Sequence, residues 1–109
     1  MVTNEAEVVT ITAGAWIAGK KSVMIMENTG FRVVIEPLVR LRLTHRILVK
    51  MIMCNTGDIG ERNWWGIGHS QTMEPLLKAL NIQYIIVRKR EEVKNMLKRI
   101  MNYISVFLY

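Results

Sequence analysis

Residues 4–26 read NEAEVVTITAGAWIAGKKSVMIM. Asn4 is a favourable helix N-cap, and the acids after it suit the positive end of a helix dipole. The spacing predicts a helix over residues 5–18 that ends at Gly19. Residues 23–26 follow at once as a continuous apolar run, which is typical of a strand buried on both faces. The predicted buried face of the helix consists of four residues: Val8, Ile11, Ala15 and Ala18.

The same alternation of helix and strand continues along the chain. Pro37 lies inside the second helical segment and predicts a kink or a later start there. The order αβαβαβα is typical of parallel βαβ units, so the expected fold class is α/β, a small parallel sheet with helices on both faces. The later helices are predicted over residues 31–43, 70–80 and 91–104, and the later strands over residues 47–54 and 83–87.

The length of 109 residues, half of them hydrophobic, suits a single domain over residues 1–109. Three predicted strands make a small sheet, and the chain opens directly on a helix. We therefore expect a domain that lacks its first βα portion, or a sheet edge that a partner completes. The small side chains around Gly14 are expected to let a neighbouring backbone come close.

The chain is basic, with a formal charge of +6 and a pI near 9.8. This balance suits nucleic acid, anionic lipid or a phosphorylated ligand. The basic residues are scattered, however, and the sequence has no P-loop, GxGxxG or RNA-binding aromatic motif, so nucleic acid is disfavoured as a partner. A basic α/β module for RNA or nucleotides is kept as the third hypothesis of function.

The location expected from the sequence is the cytoplasm. The N-terminus is polar and acidic, unlike a secretory signal, and the longest apolar run, near the C-terminus, is far too short to span a bilayer. Cys54 is the single cysteine, so it has no partner for an intramolecular disulfide or a CxxC site. At the end of an apolar strand it is expected to be a small buried hydrophobe.

Ligands of open parallel sheets bind at the carboxyl ends of the strands. Three predicted loops meet this edge, over residues 27–30, 55–68 and 88–90, and Glu5 at the start of the first helix is expected on the same side. From the residues alone, each candidate keeps a simpler alternative. Glu5 is a site carboxyl or a capping acid, and residues 28–30 are a binding turn or an ordinary turn. His69 is a site acid, a substrate anchor or an exposed loop residue, and His45 is expected at the surface.

Two further candidates lie in the loop over residues 55–68. Arg62 suits an anionic head group in bidentate fashion, or it forms a salt bridge with Asp58 or Glu61. Trp64 and Trp65 are adjacent bulky aromatics, which favours a subunit contact over a substrate lid.

Five segments, in order and at similar gaps, carry a resemblance to a known family. The chain resembles the pyrimidine-binding, alpha-type subunits of thiamine-diphosphate-dependent decarboxylases of the sulfopyruvate and phosphonopyruvate type. The resemblance runs from about residue 3 to residue 93 and lacks the first part of that domain. The segments are NEAEVV (4–9), MENTG (26–30), EPL (36–38), GDIGERN (57–63) and TMEPLLKAL (72–80).

The resemblance implies a function and a set of site residues. Glu5 would be the catalytic glutamate that hydrogen-bonds the aminopyrimidine ring of thiamine diphosphate, and Asn28, Thr29 and Gly30 would line the cofactor. Arg62 and His69 would receive a small anionic 2-keto acid. No metal ligand is expected in this chain. Mg²⁺ and the diphosphate would be held by a beta-type partner subunit, so an oligomer is expected, acting together as a decarboxylase.

The chain departs from the family's pattern at several positions, and two of them lie just after the predicted cofactor turn. Arg32 stands where the family has a glycine, and Val33 stands where it has an asparagine. These differences favour the alternative hypothesis, a truncated non-catalytic relative that acts as a binding or assembly subunit.

Overall fold

The computed structural model describes residues 1–57, 59, 60, 62, 64–102 and 105–108. It contains four α-helices and four strands within those residues, joined by short 3₁₀ and π turns. The helices are α1 (Glu5–Ile17), α2 (Ile35–Leu38), α3 (Ile67–Ala79) and α4 (Val93–Asn102), and the strands are β1 (Met24–Glu27), β2 (Met51–Cys54), β3 (Tyr84–Val87) and β4 (Ser105–Leu108).

All four strands lie parallel in one sheet, in the order β1-β2-β4-β3. β1 and β2 are in register from Met24 opposite Met51 to Glu27 opposite Cys54. β4 separates β2 from β3 and pairs with both. β1 is therefore an edge strand of the described sheet, and its carboxyl end lies level with that of β2.

The sheet corrects the prediction of three strands. The helix predicted over residues 91–104 ends at Asn102, and residues 105–108 form β4. A short apolar run fits a strand and the end of a helix equally well, so periodicity cannot separate them. The pairing partners in β2 and β3 decide the outcome here. Tyr103 and Ile104, where the predicted helix would have ended, lie outside the described residues.

Helices cover both faces of the sheet, as predicted. Side chains alternate across β2, so Met51 and Met53 belong to one cluster and Ile52 belongs to another. The first cluster joins the sheet to α1, α2 and α3, and the second joins it to α4. The α/β class is confirmed. Buried residues that define the two clusters include Val9, Leu38 and Leu77 in the first, and Val87, Met96 and Ile100 in the second.

Helix α1 begins where the sequence predicts. The Asn4 side chain accepts a hydrogen bond from the Ala6 N–H at 2.8 Å, and the helix ends at Ile17, two residues before Gly19. The predicted buried face is wrong by about one position, because Val9, Thr12 and Ala13 are the buried residues and Ile11 is exposed. The helix is apolar on most sides, so its own period does not select one face.

The expectation for Gly14 is also wrong. Gly14 is exposed, and a Cβ at this position would meet no atom within 4 Å. No neighbouring backbone among the described residues therefore comes close to this side of α1.

The second predicted helix, over residues 31–43, is broken into three segments. A 3₁₀ segment over Asn28–Val34 leads into the single turn α2, and a π segment over Val39–Thr44 follows. Pro37 lies in α2 and cannot donate a hydrogen bond to the carbonyl one turn earlier, which accounts for the interruption. Phe31, Val34 and Leu38 are buried and hold these segments on the sheet.

The remaining elements shift by a few residues. β2 is shorter than the predicted strand over residues 47–54, although Ile47 and Val49 before it are buried. α3 begins three residues before the predicted start at residue 70. No helix in the described part of the chain is long and apolar enough to cross a bilayer.

Candidate functional site

The carboxyl edge of the sheet brings together the candidates that the sequence selected. β1 ends at Glu27 and continues into residues 28–30, and β2 ends at Cys54 and continues into residues 55–57. The start of α1 lies at the same edge, because the Glu5 side chain packs against Gly30. The predicted placement of Glu5 beside the β1 loop is therefore observed.

Glu5 and Gly30 are in close contact. A Cβ at Gly30 would lie 2.6 Å from Glu5 Oε1 and 2.7 Å from both Cδ and Cγ, so only glycine leaves room for this carboxyl group. Glu5 is half-buried, and Gly30 is buried. The first turn of α1 supplies a positive dipole end to the same carboxylate. The arrangement can hold the Glu5 carboxyl group in one place against the backbone of Gly30.

A cavity of about 210 Å³ adjoins Glu5 along the edge strand β1. Thr29, the second predicted cofactor residue, is half-buried and lines this cavity together with Glu5. Val8, Met24 and Met26 supply much of its apolar wall, and Glu27 adds a second carboxyl group. The cavity therefore combines apolar side chains with two acidic groups.

Asn28 makes its hydrogen bonds inside the protein. It is fully buried, and its Nδ2 donates to Asn55 Oδ1 at 2.7 Å and to the Thr56 carbonyl at 3.0 Å. Its Oδ1 accepts from the Thr56 N–H at 3.1 Å. The amide therefore ties the end of β1 to the end of β2. Its predicted contact with a cofactor stays a prediction.

The hydrogen-bond network around Arg32 was not predicted from the sequence. The guanidinium of Arg32 donates to the Gly68 carbonyl at 2.9 Å, and it also contacts His69 Nδ1 and Thr72 Oγ1. These partners lie 36 to 40 positions later in the chain, at the start of α3. His69 is thus half-buried against an arginine, and its predicted role toward a substrate stays a prediction.

Arg62 is exposed in the loop that precedes α3. The salt bridges considered for it involve Asp58 and Glu61, which lie outside the described residues, as do Asn63 and Tyr109. Its role toward an anionic substrate stays a prediction. Within the described residues, no group of three or more His, Cys, Asp or Glu side chains could hold a metal ion.

Trp64 and Trp65 are exposed at the start of the α3 region. Their rings meet edge to face, with centroids 6.1 Å apart and planes at 79°. The exposed fractions of 77% and 57% leave both indoles open to a second molecule. The predicted subunit contact through this pair stays a prediction.

Two surface expectations have clear outcomes, and the structure adds a third observation at Arg42. His45 is exposed, as predicted. Cys54, the last residue of β2, is exposed rather than buried. Arg42, which interrupts an apolar segment, is half-buried, and its guanidinium donates to the Asn81 carbonyl at 3.3 Å, while burial lowers its pKa.

A comparison with protein-family models gives no match. Among curated proteins, the chain is similar to the sulfopyruvate decarboxylase subunit alpha of Methanocaldococcus jannaschii. The two share 31% identity over 107 residues, which cover 98% of this chain and 61% of that protein.

A second relative is the sulfopyruvate decarboxylase subunit alpha of Methanococcus maripaludis. Its identity with this chain is 27% over 97 residues, which cover 89% of this chain and 58% of that protein. The chain thus spans about three fifths of the length of the curated relatives it matches. Over nearly its whole length, as its sequence motifs predict, the chain is similar to sulfopyruvate decarboxylase alpha subunits.

Proposed function

We propose that this chain is an alpha-type subunit of a thiamine-diphosphate-dependent decarboxylase that acts on a small anionic 2-keto acid of the sulfopyruvate type. The two curated relatives are named sulfopyruvate decarboxylase subunit alpha, which supports the class of reaction. The observation that carries the proposal is the position of Glu5. Its carboxyl group lies against Gly30 at the carboxyl edge of the sheet, where open parallel sheets bind their ligands.

The described residues fit the pyrimidine end of thiamine diphosphate. The cavity beside Glu5 has about 210 Å³, which accommodates a single aromatic ring, and Glu5 and Thr29 both line it. Gly30 has no side chain and therefore leaves room for the Glu5 carboxyl group. Asn28 stabilises the loop that carries Thr29 and Gly30, because its amide joins the loops after β1 and β2.

In the proposed mechanism, Glu5 holds and exchanges a proton at one carboxyl oxygen. The carboxyl group would hydrogen-bond a ring nitrogen of the aminopyrimidine and share a proton with it. The bound cofactor supplies the electron sink for the loss of carbon dioxide. Thr29 and the apolar wall of the cavity orient the ring.

A partner subunit completes the proposed enzyme. The relatives are named as alpha subunits, which supports a second kind of subunit. We propose that a beta-type chain holds Mg²⁺ and the diphosphate, and that the exposed pair Trp64–Trp65 contributes to the contact. Arg62 and His69 are the proposed contacts for the anionic head group of the keto acid.

The decisive experiment measures decarboxylation of sulfopyruvate by this chain mixed with its beta-type partner, thiamine diphosphate and Mg²⁺. Glu5→Gln is expected to lower kcat by about 10²- to 10⁴-fold, because the amide cannot exchange the proton. Glu7→Gln is the matched control, since Glu7 is exposed two residues later in the same helix. It is expected to keep the wild-type rate.

Calorimetry of cofactor binding accompanies the kinetics. Cofactor binding in both variants with activity lost only in Glu5→Gln would agree with the proposal. Wild-type activity in Glu5→Gln, or an equal loss in Glu7→Gln, would contradict the role of Glu5.

A specific observation favours a second candidate, a non-catalytic binding or assembly subunit. Arg32 occupies the position of a family glycine, and its side chain is engaged with the start of α3. A wild-type mixture that assembles with the partner but binds no thiamine diphosphate would establish this second function and exclude the first.

A further inference from the structure

The Arg32 side chain joins the 3₁₀ segment after β1 to the first turn of α3. One terminal nitrogen, Nη2, donates to the Gly68 carbonyl at 2.9 Å and contacts Thr72 Oγ1. The Thr72 hydroxyl in turn donates to the same Gly68 carbonyl at 2.8 Å, so its lone pairs remain for Arg32. The guanidinium is therefore held in one orientation by two acceptors at the start of α3.

The other terminal nitrogen of Arg32, Nη1, meets the ring of His69 at Nδ1. Arginine has donors only and stays charged, so in this pair the imidazole nitrogen must be the acceptor. A neutral imidazole that accepts at Nδ1 carries its proton on Nε2. The contact thus selects one of the two neutral tautomers of His69.

Arg32 and His69 lie at the carboxyl edge of the sheet, where an Nε2–H group can donate to a bound ligand. Arg32 follows Gly30 by two residues, and Gly30 contacts Glu5. His69 lies in the first turn of α3, directly after the loop that follows β2. Nε2 of His69 makes no hydrogen bond to the residues that the structure describes, so its N–H remains for a bound molecule.

We propose that Arg32 is a positioning residue that fixes His69 as the Nε2–H tautomer, so that His69 acts as a hydrogen-bond donor to an oxygen of the bound acid. The identity of that acid rests on the proposed function, whereas the tautomer of His69 is independent of it. The substrate group that fits such a donor is an oxygen of the anionic head group of the small 2-keto acid. His69 then binds and orients substrate, and it does not serve as the base.

The first test uses the chain alone, with ¹⁵N-labelled histidine and long-range proton–nitrogen NMR above neutral pH, where free imidazole is neutral. His45 is the internal reference, because it is the other histidine of the chain and is exposed. Wild-type His69 is expected to show a pyridine-type Nδ1 and a pyrrole-type Nε2. In Arg32→Met, its pattern is expected to move to the averaged pattern of His45.

Arg40→Met is the matched control, since Arg40 is an exposed arginine paired with Glu36 at the surface. It should leave both histidine patterns unchanged. A proton on Nδ1 of wild-type His69, a wild-type pattern equal to that of His45, or no change in Arg32→Met would overturn the proposal. If Arg32→Met does not fold, Arg32→Lys is measured in its place. Lysine keeps a charged donor, so this variant should retain the wild-type pattern.

The second test uses the assembled enzyme with its partner, cofactor and sulfopyruvate. His69→Phe removes the donor and is expected to raise KM by about tenfold or more, whereas His69→Gln keeps an N–H donor and should raise it less. An unchanged KM in His69→Phe would overturn the donor role. An inactive wild-type complex would instead contradict the proposed function, and the NMR result for Arg32 would stand separately.

Discussion

At the scale of single residues, Asn28 shows how a buried amide can organise the carboxyl edge of a sheet. It is fully buried, and the two ends of its amide reach Asn55 and Thr56 after the next strand. A buried polar side chain is stable only when its hydrogen bonds are made. The bonds of Asn28 hold the β1 and β2 loops at a fixed separation, and Glu5 faces the same β1 loop.

We expect Asn28→Ala to lower the free energy of unfolding by about 1–3 kcal/mol, because it leaves buried partners on the β2 loop without their hydrogen bonds. Urea unfolding followed by circular dichroism measures this loss. Asn95→Ala is the control, since Asn95 is exposed in α4. Equal stability of the two variants would show that the amide bridge contributes little.

Local contacts of single residues follow from the sequence, whereas distant contacts do not. Asn4 caps α1 through a residue two positions away, and capping chemistry alone predicts that bond. Asn28 and Arg32 find partners 27 to 40 positions away. No local pattern encodes such partners, since they depend on which strand ends become neighbours. Asn55 had one available signal, because it directly follows a predicted strand at the carboxyl edge.

At the scale of elements, the loop between β2 and α3 depends on close contact between two glycines. Gly57 has φ +98°, and a Cβ there would lie 1.8 Å from the Gly66 carbonyl oxygen. Gly60 has a similar φ of +93°, but a Cβ there would meet nothing within 4 Å. Gly57 and Gly60 therefore share a positive φ, but only Gly57 makes a close backbone contact. Substitutions at the two positions distinguish the effect of that contact from the effect of φ.

Gly60→Ala is expected to cost about 1–2 kcal/mol of stability, the penalty for a side chain in the left-handed region. Gly57→Ala should cost more by at least ~1–3 kcal/mol, because the backbone at Gly66 must also move. Chemical unfolding of both variants measures the difference. Equal losses would mean that the Gly57–Gly66 contact does not close the loop.

The elements show where hydrophobic patterning suffices and where it does not. α1, α3, β1, β2 and β3 were predicted within a few residues, because each is bounded by caps, glycines or charges. The segment after Asn28 became 3₁₀, α and π turns, since Pro37 breaks the helical hydrogen bonds. β4, which follows the helix predicted over residues 91–104, was not predicted, because a short apolar run has no period of its own.

At the scale of the whole molecule, the excess of basic charge has a local consequence at the amino edge of the sheet. Lys50 precedes β2, and burial together with the charge of Lys21 lowers the pKa of its ammonium group. The protonated form of Lys50 is therefore less favourable in the folded chain than in the unfolded chain. Nearby positive charge adds to this effect in a molecule of net charge +6.

The sign of the pH dependence follows from linkage. The folded pKa of Lys50 lies below its usual 10.5, so between the two values the unfolded chain binds more protons. Stability from this group therefore rises with pH as Lys50 deprotonates in the folded chain, up to the unfolded pKa. Below the folded pKa the penalty is fully present. Added salt should reduce the part of it that Lys21 contributes.

We expect Lys50→Met to be more stable than wild type at neutral pH, because the methionine keeps most of the alkyl stem and removes the unfavourable charge. The advantage should shrink as the pH approaches 10.5 from below, and it should be smaller in high salt. Thermal or urea unfolding across this pH range measures both trends. Lys94→Met, at an exposed lysine of α4, is the control and should follow wild type at every pH. If the stability difference between Lys50→Met and wild type does not change with pH, the difference comes from packing. That result would contradict a charge penalty at Lys50.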